Sequence, residues 1–281
     1  MTTAWKITQA SSQPISIAGS DFDSITLALP AGLYTTFRTY DKRRKVPGLS
    51  GHLDRLYVPA EREGISIVRS RMGLRVMLAE LLKILAPDEA RVRLILDTTS
   101  PERGTLYVLA QPIVALPEEV YRNGVRVALS SLHREKPNLK QTAFIFQSSD
   151  ERRGIREGVF EILLTRRNRI LEGMTSNFFY VRNGTLYTAK YGVLTGITRG
   201  IVIQLAKEKG LRVIYRSLHV EEISQISEAF ITSSSRGVVP VVQIGDQRVG
   251  EGRVGDVTRQ LSAGYEARIV DLSEPIVQEV L

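Results

Sequence analysis

Two residues in this sequence have the most chemistry to offer: Lys140, in Pro137-Asn138-Leu139-Lys140-Gln141-Thr142, and Glu172, in Leu171-Glu172-Gly173-Met174-Thr175-Ser176-Asn177. Lys140 stands ahead of Thr142 to Phe146, a mostly apolar stretch. A lysine in such surroundings loses hydration, which lowers its pKa and leaves a neutral amine able to form a Schiff base with an aldehyde. Lys136 competes for that role, and a solvated loop lysine is the plain alternative. Glu172 ends the strand-like run Arg169 to Gly173 at a glycine turn. Its carboxylate there can keep a pyridine-type nitrogen protonated and the ring an electron sink, although Glu before Gly is also common in surface turns. Gly196-Ile197-Thr198-Arg199 opens a helix; with Thr198 as N-cap, free N–H groups and the helix dipole would receive a phosphate. Thr232-Ser233-Ser234-Ser235-Arg236-Gly237 could add hydroxyls to the same anion. An amine, a carboxylate and an anion site together suit an aldehyde cofactor that carries a phosphate.

Length and composition permit such an enzyme. The chain has 281 residues, 43% hydrophobic and 24% charged, enough for one large domain or two modest ones. No run approaches the ~18 consecutive apolar residues of a membrane span, and Met1 to Ser20 lacks the basic and apolar regions of a secretory signal. A soluble, cytoplasmic protein without membrane partners is the expectation. The absence of cysteine excludes disulfides, thiolate metal sites and cysteine nucleophiles, and no metal site is expected. A net charge of +8 and a pI near 9.8 raise the possibility of nucleic acid. However, the densest basic cluster, Lys42-Arg43-Arg44-Lys45, reads as a solvated turn between two strand-like runs. No aromatic-interleaved basic motif supports an RNA partner, and an anionic cofactor with anionic substrates accounts for the charge equally well.

The elements that must position these residues alternate between the strand and helix periods. Ile25 to Leu29 and Leu33 to Thr39 read as strands joined through Pro30-Ala31-Gly32. His52 to Glu63 and Leu74 to Leu85 have helical spacing, the second stopped by Pro87. Ala90 to Leu96 and Thr105 to Ala110 are strands around a turn at residues 100–104. Prolines and acidic residues between Pro112 and Gly124 break the rhythm. A domain boundary near residue 118 is therefore expected, with a smaller α+β domain over 1–118 and a larger α/β domain over 119–281 carrying the lysine. Beyond it, strands are predicted at Val125 to Ser130, Glu161 to Thr165, Ser176 to Arg182, Leu186 to Thr188, Arg212 to Tyr215 and Ala229 to Ser233, with an Asn183-Gly184 hairpin turn. Thr198 to Lys209 and Asp256 to Ile269 are predicted helices.

Lys140, the segment from Glu172 through Asn177-Phe178-Phe179, the Gly196-to-Arg199 helix start, the serine run before Val239-Pro240-Val241, and Gly252-Arg253-Val254-Gly255 together resemble the class IV, or fold-type IV, pyridoxal 5'-phosphate (PLP) enzymes. Those enzymes include branched-chain and D-amino-acid aminotransferases and 4-amino-4-deoxychorismate lyases. Tyr34 to Tyr40 and Gly51-His52-Leu53-Asp54-Arg55-Leu56 extend the resemblance over nearly the whole chain. It implies a two-domain α+β fold like that of D-amino-acid aminotransferase, PLP bound to Lys140, and Glu172 at the pyridine nitrogen. It also implies a phosphate held by Arg55, Ile197, Thr198 and Ser234, with Ser235 beside it, and a homodimer.

The chain departs from the branched-chain pattern in two places. Phe144 and Ile145 stand near the position of a tyrosine that meets the phenolic oxygen, and Tyr107-Val108-Leu109-Ala110 replaces a Tyr-x-Arg-Pro motif. Arg38 and then Arg93, with Tyr34, become the candidates for a substrate carboxylate. The strand Arg91 to Leu96 is closer to the lyase branch. The expectation is a PLP-dependent aminotransferase acting on amino acids and 2-oxo acids, branched-chain-like, with 4-amino-4-deoxychorismate lyase as the alternative. A non-catalytic basic protein binding anions or nucleic acid is the remote alternative.

Overall fold

The computed structural model describes residues 2–19, 21–155 and 158–277. The first elements are β1 (Thr3–Ile7), β2 (Ser12–Pro14), α1 (Phe22–Leu27), β3 (Gly32–Arg38), β4 (Lys45–Pro47), α2 (Leu49–Arg62), α3 (Arg71–Leu81), β5 (Ala90–Asp97) and β6 (Leu106–Pro112). There follow α4 (Glu118–Asn123), β7 (Val125–Ser130), α5 (Ala143–Gln147), α6 (Ser149–Arg153), β8 (Val159–Arg166), β9 (Arg169–Gly173), β10 (Asn177–Arg182) and β11 (Thr185–Thr188). The last are α7 (Ile197–Glu208), β12 (Val213–Tyr215), β13 (Leu218–His219), β14 (Glu228–Ser233), β15 (Gly237–Ile244), β16 (Gln247–Arg248), α8 (Asp256–Arg268) and β17 (Ser273–Pro275). Among the described residues no helix is long and apolar enough to cross a membrane.

Two compact units result. One comprises Met1–Val114, Leu139–Gln147 and Ile269–Leu281; the other comprises Ala115–Asn138 and Ser148–Arg268. The chain first passes between them a few residues before 118. The difference from a single boundary is that the segment carrying Lys140 belongs to the first unit, not to the second, and so does the chain after α8. The physical reason is strand pairing: Leu33 of β3 bridges Gln141, the Tyr34 N–H donates to the Lys140 carbonyl at 2.8 Å, and the Thr142 N–H donates to the Gly32 carbonyl at 2.9 Å. β17 likewise pairs with β4.

The first unit is built on an antiparallel sheet of order β2-β1-β6-β5-β3. One face buries Phe37, Val92, Leu94, Leu96 and Val108 against Leu49, Leu53, Leu56 and Ala60 of α2 and Leu74 and Leu78 of α3. Each such side chain contributes about 1.5–3 kcal/mol when withdrawn from water. The opposite face carries Tyr34, Ile95, Tyr107 and Leu109 with Phe22 and Ile25 of α1 and Ile145 of α5. Of Ile25 to Leu29, expected as a strand, residues 25–27 are the end of α1 instead and Ala28 and Leu29 turn out of it. Asp21 caps α1 through the Asp23 and Ser24 N–H groups, and Ser24 completes a capping box, so end chemistry overrides the β-branched content. The helix expected to reach Leu85 turns 3-10 from Leu82.

The second unit is a sheet of order β12-β11-β10-β14-β15-β7-β8-β9-β13, in which β9 also pairs with β10. That pairing closes β10, β14, β15, β7, β8 and β9 into a ring, which leaves those strands no open edge. Phe178, Tyr180, Ile231, Val239, Leu163 and Val127 belong to its apolar core. Asn183 and Gly184 both adopt positive φ, 49° and 69°, and so make the expected hairpin turn between β10 and β11.

His52 is the polar exception in the α2 stripe. It is fully buried, its Nδ1 lies 2.6 Å from Thr35 Oγ1, and burial, reinforced by the positive charges of Arg55 and Lys140, holds it well below its ordinary value of 6.5. Below pH 6.5 the unfolded chain therefore binds a proton that the folded chain refuses. Stability is full above pH 6.5 and is lost on acidification at up to about 1.4 kcal/mol per pH unit. The thermal midpoint should fall between pH 6.5 and 5, and the fall should be shallower in His52→Asn. Equal slopes in the two proteins would exclude His52 as its source.

Candidate functional site

In the first unit the pairing of residues 139–142 along β3 fixes where Lys140 emerges. Its Nζ lies 5.1 Å from the centroid of the Tyr34 ring. Tyr34, Thr36 and Arg38 alternate onto one face of β3, the face that carries Tyr34, Ile95 and Leu109. Arg93 is on this face too, but it is spent on structure. Its Nη1 donates to Asp23 Oδ1 and Thr26 Oγ1, both at 2.8 Å, and to the Phe22 carbonyl, and its Nε donates to Thr36 Oγ1. That set ties α1 to the sheet, so the second candidate for a substrate carboxylate is already matched to one. Arg38 has no carboxylate partner among the described residues: its guanidinium covers the Tyr40 ring at 4.6 Å, and its Nε makes no hydrogen bond. Arg55, half-buried on α2, acts with Lys140 on the buried His52 ring, which puts two cations around one position of this unit. Leu109 packs in the apolar cluster of Tyr34, and Phe144 is buried in α5.

In the second unit Glu172 is buried at the place where the strand ring closes, paired in register with Asn177. Its Oε1 accepts from Arg134 Nε at 3.0 Å; its Oε2 accepts from the Leu194 N–H at 2.9 Å and from Asn177 Nδ2 at 3.3 Å. Donors on both oxygens suit an ionised carboxylate, which only accepts. Asn177 is fixed in turn by donation to the Leu194 carbonyl at 2.7 Å. A Cβ at Gly196 would stand 1.9 Å from Asn177 Oδ1, so this position takes glycine because the Asn177 amide passes against it. Arg134 was not legible in the sequence. It lies in an irregular loop whose spacing gives no hint of a partner, whereas Asn177 stands in the motif already noted around Glu172.

Gly196, not Thr198, is the N-cap of α7, and no side chain bonds the helix start. The correction follows from the turn: Gly196 is still extended, at φ −68° and ψ 139°, while Thr198 is already the second helical residue. The Thr198 hydroxyl is consequently buried without a hydrogen-bond partner, and Thr232 Oγ1 on β14 is in the same condition. A buried hydroxyl left without a partner costs free energy, and a helix start with uncapped N–H groups attracts an anion. Ile197 and Thr198 thus fit a phosphate group, and Thr232 is the hydroxyl of the expected 232–237 run that the fold leaves buried without a partner. Ser234 and Ser235 are half-exposed in the turn between β14 and β15. The neighbouring Arg236 holds that turn by donating to Glu161 Oε2 at 2.9 Å and to Thr175 Oγ1.

This set of side chains is an amine, a buried and fully bonded carboxylate, and an open helix start with a buried hydroxyl. Each is a part that a phosphorylated heteroaromatic aldehyde requires, the amine in the first unit and the carboxylate and helix start in the second. The chain is 26% identical over 259 residues to the branched-chain-amino-acid aminotransferase of Pseudomonas aeruginosa, covering 85% of this chain and 84% of that one. It is 26% identical over 250 residues to D-alanine aminotransferase of Bacillus licheniformis, covering 85% and 88%. The fold matches the crystal structure of the branched-chain aminotransferase of Thermoproteus uzoniensis with norvaline, with a TM-score of 0.77 over 98% of this chain and 99% of that one at 22% identity. A family profile described as amino-transferase class IV matches residues 32–244, three quarters of the sequence. The chain, an α+β protein of two units, belongs to the class IV aminotransferase family.

Proposed function

We propose that the protein is a PLP-dependent amino-acid aminotransferase of the branched-chain-like kind, with Lys140 as the Schiff-base lysine. The observation that carries this reading is the Glu172 carboxylate, buried and held by three N–H donors, in a chain of the class IV aminotransferase family. PLP when bound supplies an aldehyde that joins an amino group and a ring that takes up the electron pair released at the α-carbon. Everything else falls to the chain. Lys140 holds the cofactor and, once displaced by the amino substrate, takes the α-proton on its Nζ and returns it. Glu172 would hold a proton on the pyridine nitrogen, and Arg134, donating to its Oε1, aims it. Ile197 and Thr198 offer N–H and hydroxyl donors to the phosphate, with Arg55 as its cation and Ser234 and Ser235 as further hydroxyls. Arg38, which has no carboxylate of its own, is the residue we assign to the substrate carboxylate, beside Tyr34. A homodimer, which the family resemblance implies, working in the cytoplasm completes the reading.

The purified protein reconstituted with PLP should show a visible absorption band that borohydride bleaches. Lys140→Ala should lack it, and protein that takes up no PLP would refute the assignment. With 2-oxoglutarate present, a branched-chain amino acid should be converted to its 2-oxo acid, and Arg38→Gln should raise KM at least tenfold with a smaller change in kcat. Release of pyruvate from aminodeoxychorismate without any amino acceptor, together with no transamination, would overturn the aminotransferase reading.

Arg134 and Glu172 are both almost fully buried, their side chains 5% and 3% exposed. Arg134→Met should therefore cost about 3–5 kcal/mol of stability by leaving a buried charge uncompensated. Adding Glu172→Gln should restore part of it while PLP remains weakly held. If Arg134→Met alone leaves both the denaturation midpoint and PLP retention unchanged, the pair has no such role.

A further inference from the structure

The basic cluster Lys42 to Lys45 is not a loose solvated turn. Asp41, Lys42 and Arg43 all adopt the left-handed conformation, with φ of 54°, 56° and 66°, which side-chain-bearing residues rarely enter in succession. The turn is held there by one carboxylate. Glu89 accepts from the Lys42 N–H at 2.7 Å, from the Arg43 N–H at 3.0 Å and from Thr39 Oγ1 at 2.6 Å. Arg43 Nη1 further donates to the Asp88 carbonyl, and the Ile276 N–H to the Arg44 carbonyl. Strained backbone kept by specific bonds is a mark of a site whose geometry matters.

The turn borders an open pocket of about 680 Å³ that lies within the first unit, in the size range of small-molecule sites. Lys42, Arg43 and Lys45 line it together with Ala79, Leu82 and Ile276. Two of the other lining cations are already paired, Arg44 with Asp41 at 2.7 Å and Lys83 with Glu80 at 2.7 Å. Lys42, Arg43 and Lys45 have no carboxylate within ion-pair distance of their side chains among the described residues. Three cations without an ion-pair partner, beside apolar side chains, outweigh the one carboxylate that also lines the pocket, Asp41, and make a site with two requirements: several negative charges, and a body with an apolar face.

We propose that this pocket binds a small organic polyanion, with phosphate groups on Lys42, Arg43 and Lys45 and an apolar or ring body against Ala79, Leu82 and Ile276. A nucleotide has this chemistry. None of the residues is among those assigned to PLP or substrate, so the proposal stands independently of the catalytic reading.

The test uses the full chain saturated with PLP, so that the cofactor's own phosphate site is filled. The environment-sensitive dianion bis-ANS is titrated into it and then competed with ATP, inorganic tripolyphosphate or adenosine. One saturable site is expected, emptied by ATP at a concentration at least tenfold lower than by either fragment. Lys42→Gln/Lys45→Gln should weaken ATP at least tenfold. Ala79→Glu, which puts a carboxylate among the apolar side chains, should weaken it too, and both variants should keep their aminotransferase activity. Tripolyphosphate acting as well as ATP would overturn the apolar requirement. Unsaturable dye binding, or ATP affinity unchanged by both variants, would overturn the site, and a single-stranded oligonucleotide binding more tightly than ATP through the same lysines would make this a nucleic-acid surface instead.

Discussion

A buried carboxylate is the constraint around which the second unit is arranged. Glu172 stands where β9 meets β10 to close the strand ring, and an ion removed from water there needs donors on each oxygen. Arg134 arrives from the loop after β7, the Leu194 N–H from the loop before α7, and Asn177 from the strand directly opposite. Each is fixed by something else: Arg134 by its donation to the Met174 carbonyl, and Asn177 by the Leu194 carbonyl and the close pass of Gly196. Removal of any one would leave a charge with an unfilled acceptor position. The N-cap of α7, Gly196, two residues beyond Leu194, inherits its position from this arrangement.

In the first unit the constraint is the free edge of β3. An edge strand exposes unpaired N–H and C=O groups, and residues 139–142 satisfy them through the Gly32, Leu33 and Tyr34 contacts. The backbone of the lysine is thereby held by main-chain bonds. The same sheet face is crowded with cations, namely Arg38, Arg91, Arg93 and Lys140, which the rings of Tyr40, Phe22 and Tyr34 cover at 4.6 to 5.3 Å. Such contacts are modest singly, about 0.5–1 kcal/mol at exposed sites. Collectively they help a face rich in arginine to pack, with Asp23 as the carboxylate that Arg93 uses.

Local signals were legible where local physics decides. Val125 to Ser130, β5 and the Asn183-Gly184 turn follow alternation and left-handed propensity, and they stand where the sequence puts them. Ile25 to Leu29 differs because the Asp21-Ser24 capping box starts a helix that the strand-favouring residue types do not prevent. Thr198 failed as N-cap because Gly196 can occupy the extended cap position with the Asn177 amide against it, a contact from 19 residues away in sequence.

The sequence by itself determined the family and singled out the amine, the carboxylate and the helix start on which the proposed function rests. These rest on short motifs whose residue types and order carry the chemistry. Only the tertiary structure decided that the Lys140 segment joins the first unit, that Arg93 is consumed by Asp23 while Arg38 is not, and that Arg134 holds Glu172. It also decided that Lys42 to Lys45 form a locked turn beside a pocket. The reason is common to all four: each depends on a hydrogen bond or ion pair, made or left unmade, between residues far apart in sequence, and periodicity along a chain carries no record of which distant donor meets which acceptor.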